Sequence, residues 1–364
     1  MNIVFRCDAS TELGTGHVYR CLTLADAFDK GLNKIAFVVL KHADNLADLI
    51  RARGYKCFEI HSTDLSPDML GETKFEHYPQ ERDWFLTKNK LTALGFNPDL
   101  ILVDHYSLSD TWETLAKSVA SYVCVIDDLA NRKHDCAVLL DQNLGREDTH
   151  YEELVDSKTK ILAGGNYCLL RNEFAQQKDK AEKYKESSTS ISRLFINMGG
   201  ADHDNASLLL LRAISVFDQL EVTLLLGPLY EHSESLQQFI KAHPALNVTI
   251  LKNINNVAEV LATQDLAIGA SGASSWERMA LGIPTMLYSL APNQEPIARQ
   301  LEHLACAINM GPITSFSEKK LQSSLSSLIN DRVRYLNMVK NNLSAINASG
   351  ANLVAETIKE HCGI

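Results

Sequence analysis

The 364-residue sequence predicts an α/β protein with two domains, each built on a parallel sheet that helices cover on both faces. Short apolar runs recur along the chain, and each is followed by a polar or glycine-rich turn and then by residues at helical spacing. Continuous apolar runs of this kind are typical of strands buried on both faces. The chain is also long for a single hydrophobic core, so we expect two domains of ordinary size.

The first domain is predicted over residues 1–175. A glycine turn follows its first strand, and a helix begins near His17, where apolar residues start to recur at helical spacing. Polar residues follow several later strands, among them Tyr106 and the pair Asp127-Asp128. Ligands of such sheets bind beyond the carboxyl ends of the strands, which is where these polar residues fall. The strands predicted here are Asn2–Cys7, Ile35–Leu40, Leu100–Val103, Tyr122–Ile126 and Ala137–Leu140.

The pattern stops over residues 176–192, which are charged, then rich in serine, and show no apolar face. We interpret this segment as the linker between the domains. A second domain is predicted over residues 193–330, followed by C-terminal helices over residues 331–364, with a break near Ser349-Gly350. The strands predicted in the second domain are Leu194–Asn197, Val222–Leu226, Val248–Leu251, Leu266–Gly269 and Thr285–Leu287.

The composition, with 45% hydrophobic and 22% charged residues, is that of an ordinary globular protein. A formal net charge of −10 argues against a general nucleic-acid surface. Met1 leads directly into a strand, so we expect no signal peptide, and no apolar run approaches the roughly 18 residues of a membrane span. The eight cysteines are scattered without a CxxC pair, which favours buried thiols in a reducing compartment. We therefore expect a cytoplasmic monomer that binds neither nucleic acid nor membrane.

The turn before the first helix is the most informative feature of the sequence. Gly14 and Gly16 permit a tight turn in which the backbone can approach a ligand closely. His17 then starts the predicted helix, where free N–H groups and the positive end of the helix dipole favour phosphate or another anion. The same field disfavours an imidazolium, so we expect a neutral histidine that is able to accept a proton. The alternative is a histidine that caps the helix or merely packs.

A second glycine turn, Gly199-Gly200, follows a predicted strand and precedes a helix. It suits close approach of the backbone to a phosphate, although an ordinary strand–helix turn is the alternative. Asp202 and Asp204 match the DxD pattern of metal sites in nucleotide-sugar enzymes. Their place in the turn favours capping of the following helix instead, so we expect no metal here.

The segment Gly269–Pro284 carries the other signature of this half. Ser271, Gly272 and Ser274 lead into a helix, and their hydroxyls and the helix N–H groups are able to surround a diphosphate without positive side chains. Glu277 falls in the first turn of this helix, where a carboxylate can accept two hydroxyls of a ribose. The alternative is that Glu277 only interacts with the helix dipole.

Four further polar positions allow two interpretations each. Asn293 and Gln294 follow a predicted strand, where amides can bind a sugar, but asparagine also serves in turns and caps. Tyr106 either orients a sugar and stabilises charge or is a satisfied surface phenol. Arg20, one helical turn after His17, either adds charge stabilisation or forms a surface ion pair.

Together these motifs resemble those of the UDP-2,4-diacetamido-2,4,6-trideoxy-β-L-altropyranose hydrolases of the pseudaminic acid pathway. The N-terminal motif, RCDAS followed by GTGHVYRC at Gly14–Cys21, is specific to that family, and the resemblance covers roughly residues 1–310. The pattern SGASSWERMALGIP at Ser271–Pro284 is shared with many glycosyltransferases, including the MurG-like ones. The other matching motifs are DHYxLxxxWE at Asp104–Glu113, IDDLANRKH at Ile126–His134, LLDQN at Leu139–Asn143, LRNEF at Leu170–Phe174, NMGGAD at Asn197–Asp202 and NQ at Asn293-Gln294.

The resemblance implies a GT-B fold, with two Rossmann-like domains facing a cleft and a C-terminal helix that crosses back to the first. It implies that His17 is the general base that activates water for attack at the anomeric carbon, with inversion and release of UDP. Tyr106 joins it as a catalytic candidate, and no metal or other cofactor is expected. The residues expected to contact the UDP-sugar are Asp8, Gly14, Gly16, Arg20, Arg171, Gly199, Gly200, Asp202, Ser271, Gly272, Ser274, Glu277, Asn293 and Gln294.

Two other classes of function stay open at this point. A glycosyltransferase of the same fold would use a sugar or lipid hydroxyl in place of water, and the acidic composition weakly opposes a lipid acceptor. A non-catalytic sensor of nucleotide sugars would not need His17 beside the glycines. A Rossmann dehydrogenase is disfavoured, because GTGHVY lacks the third glycine of the GxGxxG fingerprint.

Overall fold

The computed structural model describes residues 1–10, 13–43, 45–61, 63, 65, 77–188, 190–200, 202–227, 230–252 and 254–364, without the side chain of Asn293. Over these residues the chain forms two compact units. Unit 1 comprises Met1–Leu170 and Ser349–Ile364, and unit 2 comprises Arg171–Ala348.

Unit 1 is built on a parallel sheet, in which seven strands are described. The strands are β1 (Asn2–Cys7), β2 (Lys34–Leu40), β3 (Lys56–Ile60), β4 (Leu100–Asp104), β5 (Tyr122–Ile126), β6 (Val138–Asp141) and β7 (Lys160–Ala163). Their order is β3-β2-β1-β4-β5-β6-β7, so the order reverses between the neighbours β1 and β4. The helices of its first segment are α1 (Gly16–Ala27), α2 (Ala47–Ala52), α3 (Gln80–Ala93) and α4 (Asp110–Ala116).

Successive residues of β1 show how this sheet is buried. Phe5 packs into a hydrophobic cluster with Val18 of α1, whereas its neighbour Val4 packs into a second cluster with Trp112 of α4. Side chains of a strand point alternately to the two faces of a sheet, so both faces are covered. This explains the continuous apolar runs in the sequence.

Unit 2 repeats the same plan with a parallel sheet of six described strands. They are β8 (Arg193–Asn197), β9 (Glu221–Leu226), β10 (Asn247–Lys252), β11 (Leu266–Ala270), β12 (Thr285–Ser289) and β13 (Ala307–Pro312), in the order β10-β9-β8-β11-β12-β13. The helices are α5 (Asn172–Ser187), α6 (Ala206–Ile214), α7 (Ser233–Ala242), α8 (Val257–Leu261), α9 (Ser274–Ala280), α10 (Glu295–His303), α11 (Glu318–Asn330) and α12 (Arg332–Ala345). The predicted class, α/β with two parallel sheets, is confirmed.

The sequence missed three strands, β3, β7 and β13, and each of them lies at the edge of its sheet. An edge strand has one neighbour instead of two and more contact with solvent, so polar residues interrupt its apolar run. The sequence of β3, KCFEI, begins with a lysine and carries a glutamate, and only its last residue is buried.

The segment interpreted as a linker, residues 176–192, differs most from the expectation. Most of it lies in α5, which belongs to unit 2, and the boundary between the units falls before it, at Leu170/Arg171. This helix does bury one face, on which Phe174, Ala181 and Lys185 lie. Because one of the three buried positions is a lysine, no apolar stripe is visible in the sequence.

The predicted C-terminal helices divide between the units. α12 stays with unit 2, whereas the last helix, α13 (Gly350–Cys362), belongs to unit 1, as the resemblance implied. Val354, Ala355 and Ile358 of α13 are buried in the same cluster as Phe5. Among the described residues, none of the helices combines the length and the apolar character that crossing a bilayer requires.

The start of α13 gives a test of its packing in unit 1. A Cβ on Gly350 would lie 2.4 Å from the carbonyl oxygen and 2.7 Å from the backbone nitrogen of Cys168. Backbone cannot give way as a flexible side chain does, so Gly350→Ala is expected to lower the free energy of unfolding by about 3 kcal/mol. Chemical denaturation measures this difference. The control is Gly31→Ala, whose Cβ would approach only the flexible carboxylate of Asp29, at 3.2 Å, and equal effects of the two variants would contradict the packing.

Candidate functional site

The chemistry-bearing residues of unit 1 collect at the carboxyl ends of β1, β4 and β5. β1 and β4 are neighbours at the reversal of strand order, where Cys7 lies beside Asp104. Such a reversal opens a crevice in α/β sheets, because the connections on its two sides leave in opposite directions. The loop after β1 leads into α1, which begins at Gly16 and carries His17 in its first turn.

His17 is held by a carboxylate. Its Nδ1 lies 2.5 Å from Oδ1 of Asp104, and the His17 side chain is 4% exposed. Since a carboxylate only accepts hydrogen bonds, the contact with Asp104 requires a proton on Nδ1, and Nε2 is then the acceptor whenever the ring is neutral; Nη2 of Arg20 also lies 3.1 Å from Nδ1. Within the part of the chain that the structure describes, no hydrogen bond is made to Nε2. This is the arrangement of a general base oriented by an acidic partner.

Arg20 holds Asp104 from its other side. Its Nε and Nη2 each lie 2.6 Å from an Asp104 oxygen, and its Nη1 lies 2.8 Å from Asp128. Burial raises the pKa of Asp104, but the charge of Arg20 and then the contact with His17 outweigh it, so this pKa lies below its usual range. These contacts commit Arg20 to two carboxylates of the protein, which is the ion-pair interpretation of this residue.

Tyr106 lies against the same cluster. Its ring meets the imidazole of His17 edge to face, with 4.4 Å between the ring centroids. Its hydroxyl donates to Asp128 at 3.3 Å, and burial, together with the charge of Asp128, raises the pKa of the phenol. Tyr106 is therefore a neutral donor that restricts the orientation of His17.

The glycine turn before α1 is only partly described, since residues 11 and 12 lie outside the described residues. Gly14 has φ +83°, a left-handed conformation that favours glycine, and its N–H donates to the carbonyl of Ser10 at 2.8 Å. A Cβ on Gly16 would meet no atom of the described residues within 4 Å. Gly14 thus serves the turn itself, whereas Gly16 leaves open space beside His17.

Asp8 does not lie where a substrate could reach it. Its side chain is 1% exposed, and its Oδ1 accepts the N–H of Leu40 at 2.6 Å. Its Oδ2 lies 2.7 Å from Arg6 and 3.1 Å from His105. Burial raises the pKa of Asp8, but Arg6 and His105 lower it to about 2. The expected substrate contact is thus a buried carboxylate that joins β1 to its neighbours.

Unit 2 contains a cavity of about 630 Å³ at the carboxyl ends of β8, β9 and β11. This volume is that of a typical small-molecule site. The cavity again lies where the strand order reverses, between β8 and β11. The residues of its lining that were expected to contact the substrate are Gly199, Gly200, Asp202, Gly272, Ser274 and Gln294.

The Gly199-Gly200 turn is shaped by a third glycine that sequence reasoning missed. Gly199 has φ +87°, and a Cβ on Gly227, at the end of β9, would lie 2.0 Å from the carbonyl oxygen of Gly200. Asp202 caps α6, since its carboxylate accepts the N–H groups of Ala206 and Ser207 at 2.7 and 2.9 Å. The capping interpretation is confirmed for Asp202, and these two N–H groups are no longer free for a phosphate.

The serine-rich turn separates into structural and cavity-facing residues. Ser271 is fully buried and lies 3.1 Å from the hydroxyl of Ser289, so it joins β11 to β12 and does not line the cavity. Gly272 and Ser274 do line it. The Gln294 Oε1 accepts the N–H of Leu290 at 3.0 Å, which orients this amide. The side chain of Asn293 lies outside the described residues.

Glu277 and Arg171, both of unit 2, form an ion pair. Arg171 Nη2 lies 3.1 Å from Oε1 of Glu277 and 3.0 Å from Glu173. The side chain of Glu277 remains 26% exposed, so the carboxylate keeps room for a second partner. Burial raises the pKa of Glu277, and Arg171 opposes this effect. Two expected substrate contacts are therefore joined, with Arg171 orienting the carboxylate.

Sequence reasoning missed two charged residues that organise these sites, and left the role of a third open. Asp104 sits in a matched motif but was given no role, Arg278 lies buried beneath the serine-rich turn, and Asp128 was noted only as a polar residue that follows a strand. Their roles depend on contacts between residues far apart in the chain, such as His17 and Asp104, 87 positions apart. Among the described residues, no three His, Cys, Asp or Glu side chains gather as metal ligands would.

The architecture defines the class of protein: the chain has the GT-B fold. It is similar to MurG of Acinetobacter baumannii, with a TM-score of 0.70 over 99% of both chains at 12% identity. A further comparison is closer in sequence. The chain is 27% identical, over 307 residues, to the UDP-2,4-diacetamido-2,4,6-trideoxy-β-L-altropyranose hydrolase of Campylobacter jejuni, covering 83% of this chain and 96% of that protein. The resemblance inferred from the motifs is thereby confirmed.

A second relative is longer than this chain. An uncharacterized protein of Methanocaldococcus jannaschii is 25% identical over 297 residues, which are 79% of this chain. The chain spans only 55% of that relative's length. No family model matches the chain.

A further buried carboxylate of unit 1 is that of Asp141. The hydroxyl of Tyr151 lies 2.8 Å from Asp141 and 3.0 Å from Asp127, so its single proton cannot serve both at once. Burial raises the pKa of Asp141 to about 6. The hydrogen bonds from the N–H of Asn143 and from Tyr151, and the charge of Arg146, lower this pKa but do not offset the effect of burial.

This raised pKa predicts a pH-dependent stability. Because the folded-state pKa of Asp141 lies above the ordinary value, wild type should lose stability relative to Asp141→Asn as the pH rises from about 4 to about 7. The difference in free energy of unfolding should change by at most about 3 kcal/mol across this range. Urea denaturation at several pH values measures it. Glu152→Gln, at an exposed position nearby, should show no such change, and a pH-independent difference for Asp141→Asn would contradict the assignment.

Proposed function

We propose that the protein hydrolyses a UDP-activated 2,4-diacetamido-2,4,6-trideoxy-hexose at its anomeric C–O bond with inversion, as part of pseudaminic acid biosynthesis. The products are UDP and free 2,4-diacetamido-2,4,6-trideoxy-L-altrose. The observation that carries the proposal is the 2.5 Å contact between His17 and Asp104, which leaves Nε2 of His17 as a free acceptor. The named activity of the Campylobacter jejuni relative, similar over 83% of this chain, supports the substrate class.

In the proposed displacement, His17 takes a proton from water through Nε2 while the water oxygen attacks the anomeric carbon and the bond from that carbon to UDP breaks. Asp104 keeps the imidazole in the required tautomer and stabilises the imidazolium that forms. Arg20 stays bound to Asp104 and Asp128 throughout, so the carboxylate cannot turn away from His17. Tyr106 restricts the orientation of the imidazole, because the two rings pack edge to face.

UDP departs in the same step in which water attacks. The bond between the anomeric carbon and the β-phosphate oxygen breaks, and the bonding electrons leave with UDP, whose terminal phosphate has its second pKa near 6. A leaving group of this acidity does not need a strong general acid. The overall reaction consumes one water and releases the sugar, UDP and one proton.

The proposal assigns the nucleotide to unit 2. Gly199 and Gly200 leave room for close approach of the diphosphate in the cavity, and Ser274 offers a hydroxyl there. Glu277, oriented by Arg171, accepts hydrogen bonds from the ribose hydroxyls. In this assignment no step requires a metal.

The general-base role predicts the effect of two substitutions. His17→Ala and Asp104→Asn are each expected to lower kcat by on the order of 10²-fold or more, since both remove the oriented base. Affinity for UDP should stay nearly unchanged, because His17 acts on water. Steady-state kinetics and calorimetric titration with UDP measure the two effects. His361→Ala removes an exposed histidine of the same unit and serves as the control, and near wild-type kcat in His17→Ala would exclude this base.

Isotope labelling tests the reaction itself. In H₂¹⁸O, the label is expected at the anomeric carbon of the free sugar and not in UDP, because water attacks carbon. UMP or label in a phosphate product would show attack at phosphorus, and absence of turnover without an acceptor would favour a glycosyltransferase.

The reaction should proceed at the same rate in EDTA. Full dependence on Mg²⁺ or Mn²⁺ would instead make Asp202 and Asp204 candidate ligands.

A further inference from the structure

Unit 2 contains a buried positive charge that the proposed chemistry has not used. The Arg278 side chain is 1% exposed, and its Nη2 donates to the carbonyl of Ala270 at 2.8 Å. Its Nη1 donates to the hydroxyl of Ser274 at 3.1 Å. Ala270 and Ser274 both line the 630 Å³ cavity, so the guanidinium lies directly behind the cavity wall.

The sequence around Arg278 makes room for this group. A Cβ on Gly269 would lie 2.7 Å from Nη1 and 2.9 Å from the central carbon of the guanidinium. Any larger residue at the end of β11 would therefore displace the guanidinium. Glycine at this position is explained by the buried cation, and not by a turn.

Arg278 lacks the carboxylate partner that a buried cation usually has. Over the described residues, no carboxylate oxygen lies within 4.0 Å of its guanidinium, and its Nε has no hydrogen-bond partner. Its neighbour Glu277 pairs with Arg171 instead. Burial lowers the pKa of Arg278 to about 10, and Glu277 only partly opposes this effect. The site thus contains positive charge that a bound anion could balance.

The contact with Arg278 also decides how Ser274 can bond. Its oxygen already accepts from Nη1, and a hydroxyl has one proton to donate. No acceptor for that proton is found among the described residues, and Ser274 faces the cavity. The hydroxyl is therefore set to donate to a ligand in the cavity, with its polarity increased by the adjacent cation.

We propose that Arg278 is a positioning residue for the diphosphate of a nucleotide: it directs the Ser274 hydroxyl toward a phosphoryl oxygen and balances part of the phosphate charge from behind the cavity wall. This inference deepens the proposed function, on which it rests for the identity of the ligand. It replaces the expectation that this turn acts without any positive side chain. Through this effect, Arg278 favours binding of a nucleotide with a diphosphate over binding of a nucleoside without one.

Binding of UDP and of uridine to the full chain tests the assignment by calorimetry. Arg278→Gln and Ser274→Ala are each expected to weaken UDP binding by on the order of 10-fold and to leave uridine binding unchanged. The double variant should lose no more than the larger single loss, because the two residues act through one hydrogen bond. Glu277→Ala is the matched comparison, since loss of a ribose contact should weaken both ligands alike.

Equal losses of UDP and uridine in Arg278→Gln would overturn the assignment, as would fully additive losses in the double variant. Arg278→Lys keeps the charge and should retain more UDP affinity than Arg278→Gln, and the reverse order would also overturn it. Should Arg278→Gln fail to fold, Ser274→Ala and Arg278→Lys decide the question. If UDP binding depends on Arg278 but the H₂¹⁸O experiment shows no hydrolysis, the proposed function fails and this inference stands.

Discussion

The contact of Asp104 with Arg20 and His17 is the interaction on which the site of unit 1 depends. Two guanidinium nitrogens, each 2.6 Å from a carboxylate oxygen, leave Asp104 a single orientation, and that orientation places Oδ1 2.5 Å from Nδ1 of His17. Removing one member of such a buried group leaves an uncompensated charge, at a cost of about 3–5 kcal/mol. The orientation on which the proposed catalysis depends and the local stability therefore rest on the same contacts, and a substitution here is expected to affect both.

The parallel sheets explain why this contact can form. All strands of a parallel sheet end at one edge, so residues that follow β1, β4 and β5 meet there although they lie far apart in the chain. Buried charges near this edge must be paired, and Asp8 with Arg6 and Asp127 with Arg132 satisfy that requirement. The polar residues of unit 1 thus comprise an inner group that joins the strands and an outer group, His17 and Tyr106, that is oriented by it.

Unit 2 arranges its polar groups differently. Its cavity is lined by glycine turns and apolar side chains together with polar side chains such as Asp202, Ser274 and Gln294, and the guanidinium of Arg278 lies behind the wall. The helix cap by Asp202 places a carboxylate in the same lining, which repels a free phosphate unless positive charge lies close. In the proposed nucleotide site, the carboxylate of Asp202 and the guanidinium of Arg278 therefore act on a bound phosphate in opposite directions.

The sequence by itself determined the fold class, ten of the strands, the turn at His17 and the resemblance to the hydrolases, because local spacing and short motifs carry these features. It did not reveal the edge strands, whose apolar runs are broken, or the helix α5, whose buried face includes Lys185. The partners of each site residue were decided only by the tertiary structure. Asp8 and Ser271 looked like ligand contacts and are buried, whereas Asp104 and Arg278 gained their roles from contacts across the fold. A motif specifies which residue types are present, but burial and the direction of each hydrogen bond depend on which strands become neighbours.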